Sequence, residues 1–324
     1  TTLVWSSGRI LDLDFISYRS CFFTHRDLLL IFSLLQNLVN LKWICLSYSK
    51  KLTKIPDLSR ALNLEVLNLR ACKSLAEIPV SLKYLSKLKD LDLSDCFSLR
   101  GLPSCLHLIS LKRLDLLRCS ITKFPNIPCY ARHPGNTIEK VHLSIGCPFQ
   151  LSILYLDSCL RLKSLPDSIC NLIHLRILSI RGCINLCELP QDLGNLECLE
   201  AFVAYGSGIK ALPDSICNMK NCKLLNVNYC VHLYALPENL GNLKSLKYFT
   251  ANGSGLKELP GSICNLKRCR SLSVTNCVNL RRLPENLGNL ESLKFFSANG
   301  SGIKEVPCSF FNLKIVDILS YYIP

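Results

Sequence analysis

The feature that most constrains this chain is its likeness to itself. The frame L-x-x-L-x-L-x-x-C/S-x-x-L-x-x-L-P opens at Leu41, Leu64, Leu88, Leu111, Leu151, Leu175, Leu199, Cys222, Leu246, Cys269 and Leu293, mostly 23 or 24 residues apart. A longer period is nested inside it. Residues 202–222 match 249–269, and the units that follow match as well, at an offset of 47 residues. Units with Cys in the ninth position (x-x-C-x-x-L) alternate with units carrying G-S-G-I/L-K. The 47-residue period therefore reads as duplication of a two-repeat block.

This period and frame are those of a leucine-rich repeat. The predicted fold class is α/β: a solenoid with a curved parallel sheet and short helices or 3-10 turns on its convex side. In Leu175-Arg-Ile-Leu-Ser-Ile180, the two-residue spacing of Leu178 and Ile180 points both to one face of a short strand. Ile177, Ser179 and Arg181 point to the other. Successive strands should stack in parallel about 4.8 Å apart. Leu189-Pro190 should start the return path, because proline lacks a donor where no ladder bond is needed. No unit buries its leucines alone, so the core exists only by stacking. Four regions follow: an irregular N-terminal segment at 1–33, repeats at 34–125, an irregular or damaged repeat at 126–150, and repeats with the 47-residue period at 151–324. Within 126–150, Ile138, Val141 and Leu143 keep strand spacing, as a repeat that had lost its return arm would.

Composition excludes several classes. With 49% hydrophobic residues the chain is not a disordered tail. The longest apolar run, Leu28 to Leu35, is broken by Ser33 and falls short of the ~18 residues of a membrane span. The chain starts at Thr1 without a basic-then-apolar leader, which predicts an internal piece of a longer protein. Of 20 cysteines, seven hold the ninth position (Cys72, Cys96, Cys119, Cys159, Cys183, Cys230, Cys277), where Ser49, Ser207, Ser254 and Ser301 stand in the other units. That side chain must satisfy backbone groups of the turn after the strand. Cys170, Cys217 and Cys264 recur in register on the return path. Such placement predicts core thiols in a reducing compartment, with disulfides as the alternative.

Catalytic and metal signatures are poor. There is no phosphate-binding glycine loop, G-x-S-x-G or H-E-x-x-H, so the chain is read as a binding protein and not an enzyme. Cys129, His133, His142 and Cys147 fit no zinc spacing and are read as loop residues, so no metal and no cofactor is expected. The sequons at Asn252 and Asn299 overlap the Gly-Ser-Gly turns, and turn chemistry explains them better than glycosylation.

The net charge of +14 invites a nucleic-acid reading, but the frame sorts the charge. The second position, at the strand's edge, is basic in eight of eleven units: Lys42, Lys89, Lys112, Arg176, Lys223, Lys247, Arg270 and Lys294. This rim is either a solvated edge or a docking strip for an acidic protein. The concave positions, third, fifth and seventh, are mixed. They hold Arg70, Arg113 and Arg181 against Asp90, Asp92, Asp115 and Asp157, which makes nucleic acid the weakest partner class. Candidate partner-binding residues on that face are Trp43, Arg70, Asp90, Arg113, Tyr155, Arg181, Tyr205, Asn228, Tyr248 and Phe295, since exposed aromatics and arginine are enriched at interfaces. On the rim the candidates are Lys89, Lys112, Arg176, Lys223, Lys247, Arg270 and Lys294. Tyr248 and Phe295 could instead pack on each other.

Leu41-Lys-Trp-Ile-Cys-Leu-Ser-Tyr-Ser-Lys-Lys-Leu-Thr-Lys-Ile-Pro-Asp-Leu-Ser59 followed by Asn63-Leu-Glu-Val-Leu-Asn-Leu69 resembles the opening repeats of plant intracellular immune receptors. These are the nucleotide-binding leucine-rich-repeat proteins with an N-terminal Toll/interleukin-1-receptor (TIR) domain. The alternation of C-x-x-L-x-x-L-P with G-S-G-I-K-x-L-P is similar to their later repeats, and the L-x-G-x-I-P of extracellular plant repeats is missing. The resemblance covers roughly residues 40–324. It implies a cytoplasmic or nucleo-cytoplasmic sensor and autoinhibitory region that binds a pathogen effector or guarded host protein. In the full-length receptor it would also hold the nucleotide-binding domain. It implies no small-molecule substrate and no catalytic residue here. The alternative is a generic intracellular leucine-rich-repeat scaffold.

Overall fold

The computed structural model describes residues 38–103, 109–122, 124 and 150–313, with strand pieces at 5–6, 9–10 and 317–318. β1 (Trp5–Ser6) and β2 (Arg9–Ile10) pair antiparallel. The other strands form one parallel sheet in sequence order. They are β3 (Trp43–Cys45), β4 (Val66–Asn68), β5 (Asp90–Asp92), β6 (Arg113–Asp115), β7 (Ile153–Tyr155), β8 (Ile177–Ser179), β9 (Ala201–Val203), β10 (Leu224–Asn226), β11 (Tyr248–Thr250), β12 (Ser271–Ser273), β13 (Phe295–Ser297) and β14 (Asp317–Ile318). Each strand from β3 to β13 is the third to fifth position of its unit, and the register never slips: Trp43 faces Val66, which faces Asp90, which faces Arg113.

The expected face assignment holds. Leu178 and Ile180 are buried, and the apolar positions of the other units join them in one core running from Leu41 to Phe310. The return paths after β4 and after β7 to β13 hold 3-10 turns. Five begin directly after an extended proline, such as Asp167–Asn171 after Pro166 and Asp214–Asn218 after Pro213. Among the described residues no helix is long and apolar enough to cross a membrane.

Two findings go beyond the sequence frame. The first concerns the break. β6 pairs directly with β7, Arg113 against Ile153, and the Cys159 thiol reaches back to Leu116 O, 43 residues earlier, at 3.0 Å. β6 and β7 are therefore neighbours in the sheet although the chain between them is long. Residues 126–149, like 1–33 apart from the β1 and β2 pieces, lie outside the described residues.

The second concerns the two-repeat block. From β8 on, the Cys-type units carry Leu-x-Ile or Leu-x-Val inward, as at Leu178/Ile180 and Leu225/Val227. The Gly-Ser-Gly units carry Phe-x-Ala, as at Phe202/Ala204 and Phe249/Ala251. A larger residue beside a smaller one keeps the cross-section filled. The Gly-Ser-Gly units are also one residue shorter after the strand, so their loop passes close beneath its predecessor. A Cβ on Gly208 would lie 2.1 Å from Ile184 O, and one on Gly255 2.3 Å from Val231 O. On the convex side the same partners close up again: Gly194 N donates to Ser215 Oγ at 3.0 Å, and Gly241 N to Ser262 Oγ at 3.1 Å.

The ninth position works as its chemistry predicts. The thiols of Cys72, Cys96, Cys119, Cys159, Cys183, Cys230 and Cys277 each donate to the sixth-position carbonyl of the preceding unit, at 3.0–3.2 Å. All sixteen described cysteines are free. Burial pushes the Cys72 and Cys183 thiols up to about 12 and raises Cys96, Cys119 and Cys159 as well.

Two experiments test this packing. Gly208→Ala and Gly241→Ala should each lower unfolding free energy by about 1–3 kcal/mol in urea titrations, because a new methyl meets backbone. Gly261→Ala should be near neutral, since nothing lies within 4 Å of its Cβ site; equal losses at all three would contradict this account. In native alkylation at mildly alkaline pH, peptide mapping should find exposed Cys198 and Cys308 labelled first, and half-buried Cys45 and Cys187 next. The ladder thiols, held protonated, should react only on unfolding.

Candidate protein-recognition surface

The concave face begins with backbone that is already satisfied. At the rim each second-position carbonyl accepts two donors from the next unit: Lys247 O accepts from Arg270 N at 2.8 Å and Ser271 N at 3.1 Å. At the other end, the seventh-position N–H is taken by a side chain. Asp92, Asp115 and Asn226 accept from Ser94 N, Leu117 N and Asn228 N at 2.9–3.1 Å. Further along, the seventh residue of the preceding unit does this. Asn228 Oδ1 accepts from Asn252 N at 2.7 Å, and Asn252 Oδ1 from Thr275 N at 2.9 Å. Asn228, a candidate partner contact, therefore also supports the scaffold. The Asn252 sequon is engaged in the same ladder, its Oδ1 also accepting from Ser273 Oγ at 2.7 Å.

The seventh residue is followed in each unit by a left-handed turn residue. Gly182, Gly206, Gly253 and Gly300 hold it at four units, and Tyr48, Ala71, Asp95, Arg118, Ser158, Tyr229 and Asn276 at the other seven, with φ between 54° and 64°. A non-glycine residue there costs about 1–2 kcal/mol. Tyr229 is the informative case. Its ring is half exposed and meets Tyr205 edge-on at 5.0 Å. A Cβ on Gly253 would come within 2.8 Å of it. The Arg181 guanidinium lies 4.5 Å over the other tyrosine, Tyr205. These three side chains form a stacked cluster on β8–β10 and the turns after them. Sequence reading named Arg181 and Tyr205 but missed Tyr229, because it followed the strand alternation and not the turn.

From β5 to β8 the face is charged and internally paired. Arg113 bridges Asp90 at 3.2 Å and Asp115 at 2.8 Å, and lies 5.9 Å from the Tyr155 ring. Asp95 takes Arg118 at 3.1 Å and Arg70 at 3.9 Å. Asp157 accepts from Ser179 Oγ and from Arg181 N. Burial outweighs the arginine's attraction and raises both the Asp90 and Asp115 carboxyls above the ordinary aspartate value. From β9 to β13 the third, fifth and seventh positions carry no charge. Tyr248 is exposed there and Phe295 half-buried, in one row with Ser271 between them. That puts them about 9.6 Å apart, and the ring pair on this stretch is Tyr205–Tyr229 instead. Trp43 stands apart on β3, 53% exposed, beside Val66.

The rim residues fall into two groups. Lys89 pairs with Glu65 at 2.6 Å, while Glu200 is shared by Arg176 at 2.8 Å and Lys223 at 2.6 Å. Lys112, Lys247, Arg270 and Lys294 have no ion-pair partner among the described residues. Among the described residues no group of three or more His, Cys, Asp or Glu could hold a metal. Cys129, His133, His142 and Cys147 lie outside them.

A family model described as a leucine-rich repeat region matches residues 137–251. The chain is a leucine-rich-repeat solenoid. Its curated relatives include plant disease resistance proteins. Disease resistance protein RPP2A of Arabidopsis thaliana is 40% identical over 138 residues, covering 41% of this chain and 10% of that protein. TMV resistance protein N of Nicotiana glutinosa is 35% identical over 193 residues, covering 56% of this chain and 16% of that protein. The solenoid thus spans a small fraction of these relatives. Among solved structures, the crystal structure of a TDR receptor superposes with a TM-score of 0.58 at 20% identity, over 90% of this chain and 48% of that one, which supports the fold alone.

The raised Asp90 and Asp115 carboxyls bind protons more readily folded than unfolded. Their contribution to stability should therefore fall as pH rises from the ordinary aspartate value, 3.8, through the raised one. Asp115→Asn keeps an acceptor for Leu117 N and should flatten that slope in urea titrations run across acidic pH. Asp115→Ala, which strands the N–H, should cost about 1 kcal/mol or more. An unchanged slope for Asp115→Asn would contradict the assignment.

Proposed function

We propose that this solenoid is the protein-recognition region of a plant intracellular immune receptor of the TIR type. Its concave face binds a pathogen effector or a guarded host protein. In the full-length receptor the same region restrains the nucleotide-binding domain. The chain works by binding, without a cofactor or a reaction of its own, in the cytoplasm or between cytoplasm and nucleus. The relatives' names support the immune setting. One observation carries the choice of surface: Arg181, Tyr205 and Tyr229 touch one another, with Arg181 and Tyr229 exposed and Tyr205 half-buried, on a face whose backbone groups are already paired. Tyr229 presents its ring from the left-handed turn that every unit uses, so the scaffold itself sets the ring's place on the surface.

The test removes rings without touching the core. Glycine fits the left-handed turn, so Tyr229→Gly should shift stability by less than about 1 kcal/mol. Together with Tyr205→Ala it should weaken association with the receptor's protein ligand by about 10–100-fold, as loss of an aromatic hot spot does. Quantitative proximity labelling in leaf cells, comparing the full-length receptor with this double variant, identifies the ligand; titration with that purified protein gives the affinity. Retention of every ligand at full affinity would remove the concave cluster from the recognition surface.

A further inference from the structure

The floor loses its charges from β9 on, and the rim, among the described residues, loses its acidic partners from β11 on. On β5–β8 the floor carries Asp90, Asp92, Asp115 and Asp157, and on the rim of those units Lys89 and Arg176 pair with Glu65 and Glu200 while Lys112 does not. On β11–β13 the floor is uncharged, and the rim presents Lys247, Arg270 and Lys294 on three consecutive units without an acidic partner among the described residues. Their spacing is set by backbone. Lys223 O binds Lys247 N at 2.9 Å and Tyr248 N at 3.0 Å, and Arg270 O binds Lys294 N at 2.9 Å and Phe295 N at 3.0 Å. The row therefore advances one cation per strand spacing, about 4.8 Å.

That spacing selects among partners. An α-helix repeats a face every turn, about 5.4 Å. Over two intervals it drifts about 1.2 Å from the row, which lysine and arginine side chains absorb. A β-strand repeats a face every two residues, about 6.7 Å, and drifts about 4 Å over the same span. We propose that Lys247, Arg270 and Lys294 dock a helix of a partner protein that presents one carboxylate per turn. Its uncharged flank lies over Tyr248 and Phe295. The aspartates of β5–β7 repel such a helix and confine it to the C-terminal units. This rests on the recognition reading above and specifies the partner's chemistry.

The probe is a fluorescein-labelled, lactam-stapled helical peptide with one glutamate per turn on one face and leucine and asparagine beside it. Its twin has glutamine in place of glutamate. Fluorescence anisotropy with the full chain should show binding to the acidic peptide, weakened by added salt, and at least about tenfold weaker binding of the twin. The triple variant Lys247→Glu, Arg270→Glu, Lys294→Glu should lose at least about tenfold, with an unchanged melting curve showing that it folds. Lys89→Glu, on the paired part of the rim, should change little. No binding of the acidic peptide, or equal binding to the triple variant, overturns the proposal. So does tighter binding of a random single-stranded oligonucleotide that the same substitutions abolish, which would make the row a phosphate reader. If the natural ligand is lost with Tyr205→Ala and Tyr229→Gly but kept by the triple variant, this inference fails and the recognition reading stands. If both variants keep it, the reading itself fails.

Discussion

One buried acceptor organises the solenoid. At the end of each strand the sixth-position carbonyl faces inward, where it cannot reach water. The N–H three residues on closes a turn onto it, as Cys72 N does onto Leu69 O at 3.2 Å. The ladder thiol of the following unit then takes its second lone pair, as Cys96 Sγ does at 3.2 Å. A sulfur is a weak donor, but it is small, apolar on its other sides and at ease in a core. The left-handed residue just before it turns the chain sharply enough to bring that N–H back. The turn recurs in each unit, and the thiol bond wherever the following unit carries cysteine; the regular surfaces follow from this repetition.

The alternation of units is a packing solution under that constraint. Shortening the loop by one residue draws Gly208 under Ile184 and Gly255 under Val231, and a side chain at either place would clash with backbone. The ninth residue becomes serine in these units, and the hydroxyls of Ser207 and Ser254 lie 3.5 and 3.4 Å from the Cys230 and Cys277 thiols. Phe202 and Phe249 fill the volume that Ala204 and Ala251 give up. On the convex side Gly194 and Gly241 meet Ser215 and Ser262. A Cys-type unit and its successor are thus joined at both loop and return path. The duplicated block is therefore a packing unit as well as a sequence unit.

The scaffold was legible because it follows from periodicity. Two-residue spacing put Leu178 and Ile180 inside and Arg181 outside, and the leucine-proline pairs marked the return paths. The candidate surface was legible only where it followed the same alternation. Tyr205, Tyr248 and Arg181 project from the face as read, but Tyr229 belongs to the turn, where a left-handed backbone and not strand alternation sets the ring's direction. The pairing of charges was likewise out of reach. Glu200 joins Arg176 to Lys223 across three units, so a basic row in sequence becomes a half-neutralised row in space. Asp92 and Asp115, unremarkable in L-D-L, turn out to hold the Ser94 and Leu117 backbone. The segment at 126–150 kept strand spacing in Ile138, Val141 and Leu143. Those residues lie outside the described ones, and the sheet pairs β6 directly with β7.

These features separate what can vary from what cannot. Inward positions are bound by volume, the ninth position by a carbonyl, the eighth by its backbone angle, and the short-loop glycines by contact distance. The third position carries no such duty, and along the sheet it runs through Trp43, Asp90, Arg113, Ile177, Tyr248, Ser271 and Phe295. The fifth and seventh are freer wherever a neighbour's side chain already holds the turn. The second position offers its carbonyl to the ladder and its side chain to solvent, so charge can be written along the rim without cost to the core. A solenoid of this kind presents chemically arbitrary side chains on a lattice of fixed spacing. Two surfaces with the same backbone can therefore differ wholly in what they bind, and here the paired, acidic stretch and the neutral, base-edged stretch lie on one continuous sheet.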